Sequence, residues 1–290
     1  MKIKNMFDRG TVYSFEVFPP KRDSSIETIY TTLEELKGLS PDFISVTFGA
    51  GGSANNNKSI EIAKKIKEDY GVESAIHLPC INYSKDEIVN ILGQLIDNKI
   101  TNILALRGDI NPDIPPKKDF KYASELIEFI KKYGDFDIAG ACYPEGHMET
   151  ENIVQDVLNL RKKVDAGAEH LISQLFFDNN YFYSFLERTQ IAGIDVPIEA
   201  GIMPVTNKKQ IERMVSMCGA SLPPKFTKMI QRYEHSPEAL RDAGIAYAID
   251  QIVDLVSNNV DGIHLYTMNN AYVARRISEA VESIIRSNKK

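Results

Sequence analysis

The sequence predicts an α/β chain closed into a (β/α)8 TIM barrel, and three observations predict it. Eight short apolar segments recur from end to end of the 290 residues, each followed by a stretch with apolar residues at three and four spacing. Most of these segments finish on a residue able to do chemistry, as barrel strands do at their carboxyl-terminal rim. Strands that alternate with helices need crossover connections and so pair in parallel, and eight such units in about 250 residues are the number that closes a barrel. An open doubly wound sheet is the alternative arrangement of the same elements.

The segments are 12–18, 43–47, 73–78, 102–109, 137–143, 170–177, 197–203 and 261–268. They end on or near Glu16, Thr47, His77, Arg107 with Asp109, Tyr143, Gln174, Met203 and Tyr266. The helical stretches between and after them are 25–39, 57–70, 85–98, 122–132, 149–166, 181–190, 208–217 and 271–285, with an additional helix, 238–257, between the seventh and eighth strands. Alternate strand residues point to opposite faces. In the first strand Tyr13, Phe15 and Val17 oppose Ser14 and Glu16; in the second Ile44 and Val46 oppose Ser45 and Thr47; in the third Ile76 and Leu78 oppose Ala75 and His77. In the fourth, Leu104 and Leu106 oppose Ala105, Arg107 and Asp109. Assigning the apolar set to the helices and the polar set to the barrel interior places Ala105, Arg107 and Asp109 inward.

With 43% hydrophobic residues and no Pro/Ser/Gly-rich linker, the expectation is one barrel domain over 1–290. A net charge of −6 spread along the chain argues against nucleic acid and an anionic membrane surface, and points to a small molecule. The amino terminus lacks the apolar run of a signal peptide and no stretch has the ~20 apolar residues of a membrane span, so a cytoplasmic location is expected. Cys80, Cys142 and Cys218 are scattered, and the five histidines show no ligand spacing, so neither disulfides nor a metal centre is expected.

Glu16 is the most informative side chain. It faces inward at the top of the first strand amid Phe15, Phe18, Pro19 and Pro20, where desolvation keeps a carboxyl protonated and fit for general-acid work. A carboxylate paired to an inward Arg or His is the other reading. Gly49-Ala-Gly-Gly52 lacks the spacing of a dinucleotide fingerprint and instead suits close backbone approach to a stacked ring.

Tyr13-Ser-Phe-Glu-Val-Phe-Pro-Pro-Lys21, Thr47-Phe-Gly-Ala-Gly-Gly-Ser53, Arg107-Gly-Asp109, Tyr143-Pro-Glu-Gly-His147 and Gln174-Leu-Phe-Phe-Asp178, at successive strand ends, resemble the methylenetetrahydrofolate reductases over essentially the whole chain. The likeness is to the bacterial form, which has the catalytic barrel alone. It implies an FAD enzyme in which NADH or NADPH gives a hydride to the flavin and the flavin passes it to methylenetetrahydrofolate, making 5-methyltetrahydrofolate. In this resemblance Glu16 is the proton donor that opens the folate ring. Asp109 sits near the flavin's pyrimidine edge, where a fixed negative charge lowers the potential of the reduced flavin.

The FAD contacts it implies are Thr47, His77, Arg107, Gly108, Asp109, Ala123, Tyr143, His147, Asp156, Asn159, Lys162 and Lys163. The folate contacts are Gln174, Tyr266, Phe48 and Ala50. Tyr143 offers a ring for stacking, Asp156 a ribose acceptor, and Lys162 with Lys163 a diphosphate partner. Taken singly, each has a plainer reading: Arg107-Gly-Asp109 as a turn with a local salt bridge, His77 as a satisfied core histidine, the lysines as a solvated helix face, and Gln174 as an amide that satisfies its own loop. Asn270 stands where many relatives carry Arg, Phe48 where some have Tyr, and Lys162 where an Arg occurs. A homo-oligomer is implied, and a redox partner subunit remains an alternative electron source. Rival readings are a flavin barrel that oxidises an amino acid such as proline, and a non-catalytic flavin- or folate-binding subunit. A Schiff-base aldolase lacks its lysine, since none of the eight segments ends on one.

Overall fold

The computed structural model describes residues 1–20, 25–48, 53–110 and 115–289. Eight parallel strands close into a barrel in sequential order: β1 (Val12–Val17), β2 (Phe43–Val46), β3 (Glu73–Pro79), β4 (Asn102–Leu106), β5 (Asp137–Cys142), β6 (His170–Ser173), β7 (Ile198–Ile202) and β8 (Gly262–Tyr266). Helices α1 (Glu27–Leu36), α2 (Ser53–Asp69), α3 (Lys85–Asp97), α4 (Ala123–Tyr133), α5 (Ile153–Asp165) and α6 (Asn179–Ile191) follow the first six strands in turn. Three helices, α7 (Lys208–Cys218), α8 (Pro224–Tyr233) and α9 (Pro237–Ser257), lie between β7 and β8, and α10 (Ala271–Ser287) ends the chain. The barrel anticipated from the sequence is the one found; seven strands end one to four residues early, which leaves Thr47, Arg107, Asp109, Tyr143, Gln174 and Met203 in loops, whereas β3 runs one residue longer and Glu16, His77 and Tyr266 stay within strands.

Two elements escaped the sequence reading. A 3-10 helix, Ile3–Arg9, closes the amino-terminal end of the barrel: Ile3 N–H donates to Asn102 Oδ1 at 3.1 Å and Lys4 N–H to Asp137 Oδ2 at 2.8 Å. Helix α8 begins with Pro224 in its first turn, where the missing N–H costs nothing, and buries Phe226 and Ile230. Helix α5 starts at Ile153, four residues later than expected, because the Asn152 side chain caps it by accepting from Gln155 N–H. Residues 143–152 are thereby left as a loop at the rim.

Strand parity holds for β1, β2 and β3: Tyr13, Phe15, Val17, Ile44, Val46, Ile76 and Leu78 pack in the large core shared with the helices. It fails for β4. Leu104 packs with Val12, Phe43, Ala75, Ala139 and Ile172 in the barrel interior, with Leu106 against the same cluster, whereas Ile103 and Ala105 face the helices. The ladder agrees, since Leu104 is in register with inward His77. A strand covered on both faces is apolar on both, so alternation alone could not say which side was which. Arg107 and Asp109 lie beyond the last paired residue of β4, outside any parity argument.

Among the described residues no helix is long and apolar enough to cross a membrane, and no group of three His, Cys, Asp or Glu side chains could hold a metal ion.

Candidate active site at the carboxyl-terminal rim

Register carries inward positions round the barrel from Glu16 to Tyr266 and from Ser14 to His264. Above the apolar floor this puts polar side chains into the barrel's centre. Glu16 is 17% exposed at the mouth, and its Oε2 lies 3.7 Å from His77 Nε2 and 3.8 Å from His264 Nε2. These separations exceed hydrogen-bond length, so the carboxyl faces two imidazoles without being bonded to either. Of the two sequence readings, a general acid or a carboxylate paired to an inward Arg or His, the structure bears on the second by placing two histidines opposite Glu16. Burial lowers the pKa of His77 to about 4 against the opposing pull of Glu16, so its ring is uncharged at neutral pH, and Ser45 Oγ holds its Nε2 at 3.1 Å.

Neighbouring loops fix the backbone around Glu16. Thr267 Oγ1 donates to the Glu16 carbonyl oxygen at 2.6 Å; Asn269 accepts from Phe18 N–H at 3.1 Å and donates to Phe18 O at 2.7 Å. Met268 and Asn269 both adopt left-handed backbone, φ 52° and 53°, a conformation that costs of order 1–3 kcal/mol per non-glycine residue and persists at functional rims. Tyr266 spans the mouth, its hydroxyl donating to Ser173 O at 2.7 Å and its ring edge-on to His264. A Cβ at Gly201 would sit 2.2 Å from Ser173 O and 2.8 Å from the Tyr266 hydroxyl, so only glycine admits this crossing.

Beside this mouth a cavity of about 570 Å³ opens between the ends of β4 and β5 and helices α4 and α5, within the size range of small-molecule and cofactor sites. Arg107, Ala123, Tyr143, His147, Asp156, Asn159, Lys162 and Lys163 all line it, so eight of the expected flavin contacts converge. Thr47, His77, Gly108 and Asp109 do not line it. Thr47 follows β2 and His77 lies in the barrel mouth; Gly108, at φ +88°, makes a turn whose Cβ would meet Pro79 Cβ at 2.8 Å, and exposed Asp109 follows it.

The donors of the cavity suit a phosphorylated, planar ligand. Lys163 is not on a solvated face: its amine donates to Ala141 O at 2.7 Å and lies 5.5 Å from the centre of the Tyr143 ring, and burial lowers its pKa. Lys162 is exposed and bonds Asn159 Oδ1 at 3.1 Å. Arg107 makes a paired interaction with Glu149, which holds the glutamate pKa down and the guanidinium pKa up. The local salt bridge anticipated for Arg107-Gly-Asp109 thus exists but runs to Glu149. Tyr143, edge-on to His147 at 4.6 Å, presents a ring beside Ala105, Leu106 and Ile110.

Of the expected folate contacts, Gln174 and Tyr266 lie at the mouth, Gln174 with its Oε1 accepting Leu175 N–H at 2.9 Å, the loop role that its plainer reading predicted. Phe48 packs edge-on against Tyr83 at 6.3 Å, and Ala50 lies outside the described residues. Sequence reasoning passed over Glu199, buried inside β7, and the roles of Ser14, Ser45 and His264; a lone acid within the apolar run Ile198–Ile202 was the available signal.

The family description "Methylenetetrahydrofolate reductase" matches residues 2–282. The chain belongs to that family. It is 38% identical over 264 residues to the 5,10-methylenetetrahydrofolate reductases of Pectobacterium carotovorum and Escherichia coli K12, covering 91% of this chain and 88% of each relative. It is 35% identical to methylenetetrahydrofolate reductase (NADH) 1 of Arabidopsis thaliana, covering 92% of this chain and 48% of that one. A solved structure described as an uncharacterized Clostridium thermocellum protein that binds two copies of 5-methyl-5,6,7,8-tetrahydrofolic acid superposes with a TM-score of 0.67 at 14% identity, covering 98% and 99% of the two chains. At that identity the likeness is one of fold. Family membership makes the chain an oxidoreductase and sets aside the proline-oxidising and non-catalytic readings.

Proposed function

We propose that this chain carries out the family's reduction of 5,10-methylenetetrahydrofolate to 5-methyltetrahydrofolate with FAD in the β4–β5 cavity, NADH or NADPH as electron source, and Glu16 as the proton donor. The reduction itself follows from family membership. The observation that carries the finer reading is the convergence of Tyr143, Asp156, Lys162 and Lys163 on one cavity beside the mouth that holds Glu16.

FAD held in this cavity would supply hydride transfer between the reduced nicotinamide and the folate. The chain's residues do the rest. Lys162 and Lys163 would meet the cofactor's diphosphate, Asp156 would accept from its ribose and Tyr143 would offer a ring for stacking, all four lining the cavity. At the mouth Glu16 gives its proton to N10 of the folate; the C–N10 bond breaks, the five-membered ring opens, and the methylene carbon becomes an N5 iminium ready for hydride. Gln174 would orient the pterin edge, and Asp109, which follows the Gly108 turn outside the cavity lining, would add negative charge on the cofactor's side of the rim. Burial keeps His77 neutral, so the Glu16 carboxyl faces an uncharged ring there.

The purified protein, reconstituted with FAD and titrated anaerobically with NADH or NADPH and then with methylenetetrahydrofolate, tests this reading. Flavin absorbance that bleaches with nicotinamide and returns with the folate supports it; a protein that retains no flavin, or whose reduced flavin is untouched by the folate, overturns it.

A further inference from the structure

Beneath Glu16 the barrel interior holds a second acid. Glu199, on β7, is 0% exposed, and Ser14 Oγ lies 3.2 and 3.3 Å from its two carboxyl oxygens. The same hydroxyl is 2.7 Å from His264 Nδ1, and the far nitrogen of that ring, Nε2, is the atom 3.8 Å from Glu16 Oε2. His264 Nε2 is buried and has no hydrogen-bond partner among the described residues. The space is built for the acid: a Cβ at Gly262 would lie 2.7 Å from Glu199 Cγ. We propose that Glu199 is an internal proton donor that reloads Glu16 through Ser14 and His264, a positioning residue acting behind the catalytic acid.

The inference rests on the assignment of Glu16 as proton donor. The groups facing Glu199 are Ser14, His264, with Nδ1 at 3.9 Å, and the carboxylates of Asp42 and Asp261. Burial, with those two negative charges, pushes the carboxyl's pKa well above the ordinary value, which favours the protonated form that the relay needs. A protonated Glu199 donates to Ser14 Oγ, Ser14 donates to His264 Nδ1, and His264 is the tautomer with its proton on Nε2, aimed at Glu16. After Glu16 has given its proton to N10, the Nε2 proton passes to the Glu16 carboxylate. Nδ1 takes the Ser14 proton, and Ser14 takes the Glu199 proton. Charge and protons balance: one carboxylate is exchanged for another, and His264 ends neutral with its proton on Nδ1. The 3.8 Å gap is of the kind that closes when substrate orders the site.

Glu199→Gln separates proton supply from hydrogen bonding, because the amide still donates to Ser14 but has no proton to release. Steady-state turnover, which needs Glu16 reloaded in every cycle, is expected to slow at least about tenfold, while the first, single-turnover oxidation of the reduced enzyme by methylenetetrahydrofolate stays within twofold of wild type. The loss should deepen from pH 6 to pH 9 as solvent protons become scarce, while reduction by nicotinamide stays within twofold. In the infrared spectrum of the unliganded protein, a protonated-carboxyl band persisting above pH 7 should vanish in the variant. Ser14→Ala, which cuts the same path, should reproduce the kinetic loss without adding to it. An active wild type with an unchanged Glu199→Gln turnover rate, or no such band, overturns the relay alone; a wild type that cannot be oxidised by the folate overturns the role of Glu16 first.

Discussion

Replacing His77 by Gln tests the electrostatic reading of the rim. The ring is 6% exposed and its pKa is lowered to about 4 from 6.5, chiefly by burial. Its folded pKa is depressed, so the unfolded chain binds a proton between about pH 6.5 and 4 that the folded protein refuses. Wild-type stability from this group is then fully present above pH 6.5 and is lost as pH falls toward 4. A gap of about 2.5 units at 1.36 kcal/mol each comes to about 3 kcal/mol. Urea unfolding of wild type and His77→Gln at intervals from pH 4 to 7.5 measures it, and the difference between the two proteins cancels the parallel contribution of buried His170, itself lowered to about 3. Wild type should gain about 3 kcal/mol relative to the variant across that window. A difference that is flat with pH would mean that the fold leaves the ring's titration unshifted, and the burial-held neutral ring assigned beside Glu16 would fall with it.

Two other perturbations follow from the geometry. Gly201→Ala drives a methyl group to 2.2 Å from Ser173 O, and should cost more than about 3 kcal/mol or abolish soluble expression; a thermal melt within two degrees of wild type would refute the close crossing of Tyr266. Lys163→Met removes the half-buried amine that donates to Ala141 O and lies over the Tyr143 ring, and should weaken FAD binding by about 10- to 100-fold in a fluorescence titration, the worth of one charged hydrogen bond. Unchanged affinity would place the diphosphate elsewhere.

The barrel was legible because period-two and period-3.6 patterns alternate without interruption, and each β-to-α step ends near a polar residue. Where legibility failed, the reason is physical. The two leucines of β4 were assigned to the wrong side because both faces of a buried strand are apolar, and only the ladder to His77 orients them. Glu149 was placed in a helix, but the cap at Asn152 leaves it in a loop, where it neutralises Arg107. Lys163 looked like a surface lysine from its helix position, and its burial depends on where α5 crosses β5. Glu16 stood out on its own strand, whereas the line Glu199–Ser14–His264 joins three strands that no local pattern connects. The inward placement of Glu16 and His77 could be read from strand parity, but their link to Glu199 could not.

The central claim is that Glu16 supplies the proton for the folate step and has no part in taking electrons from nicotinamide. The two half-reactions of Glu16→Gln, followed separately by anaerobic stopped-flow absorbance, test it most directly. The account predicts nicotinamide-driven bleaching within a few-fold of wild type and folate-driven recovery slowed by about 10²- to 10⁴-fold. Equal loss in both half-reactions, or recovery at the wild-type rate, would contradict it.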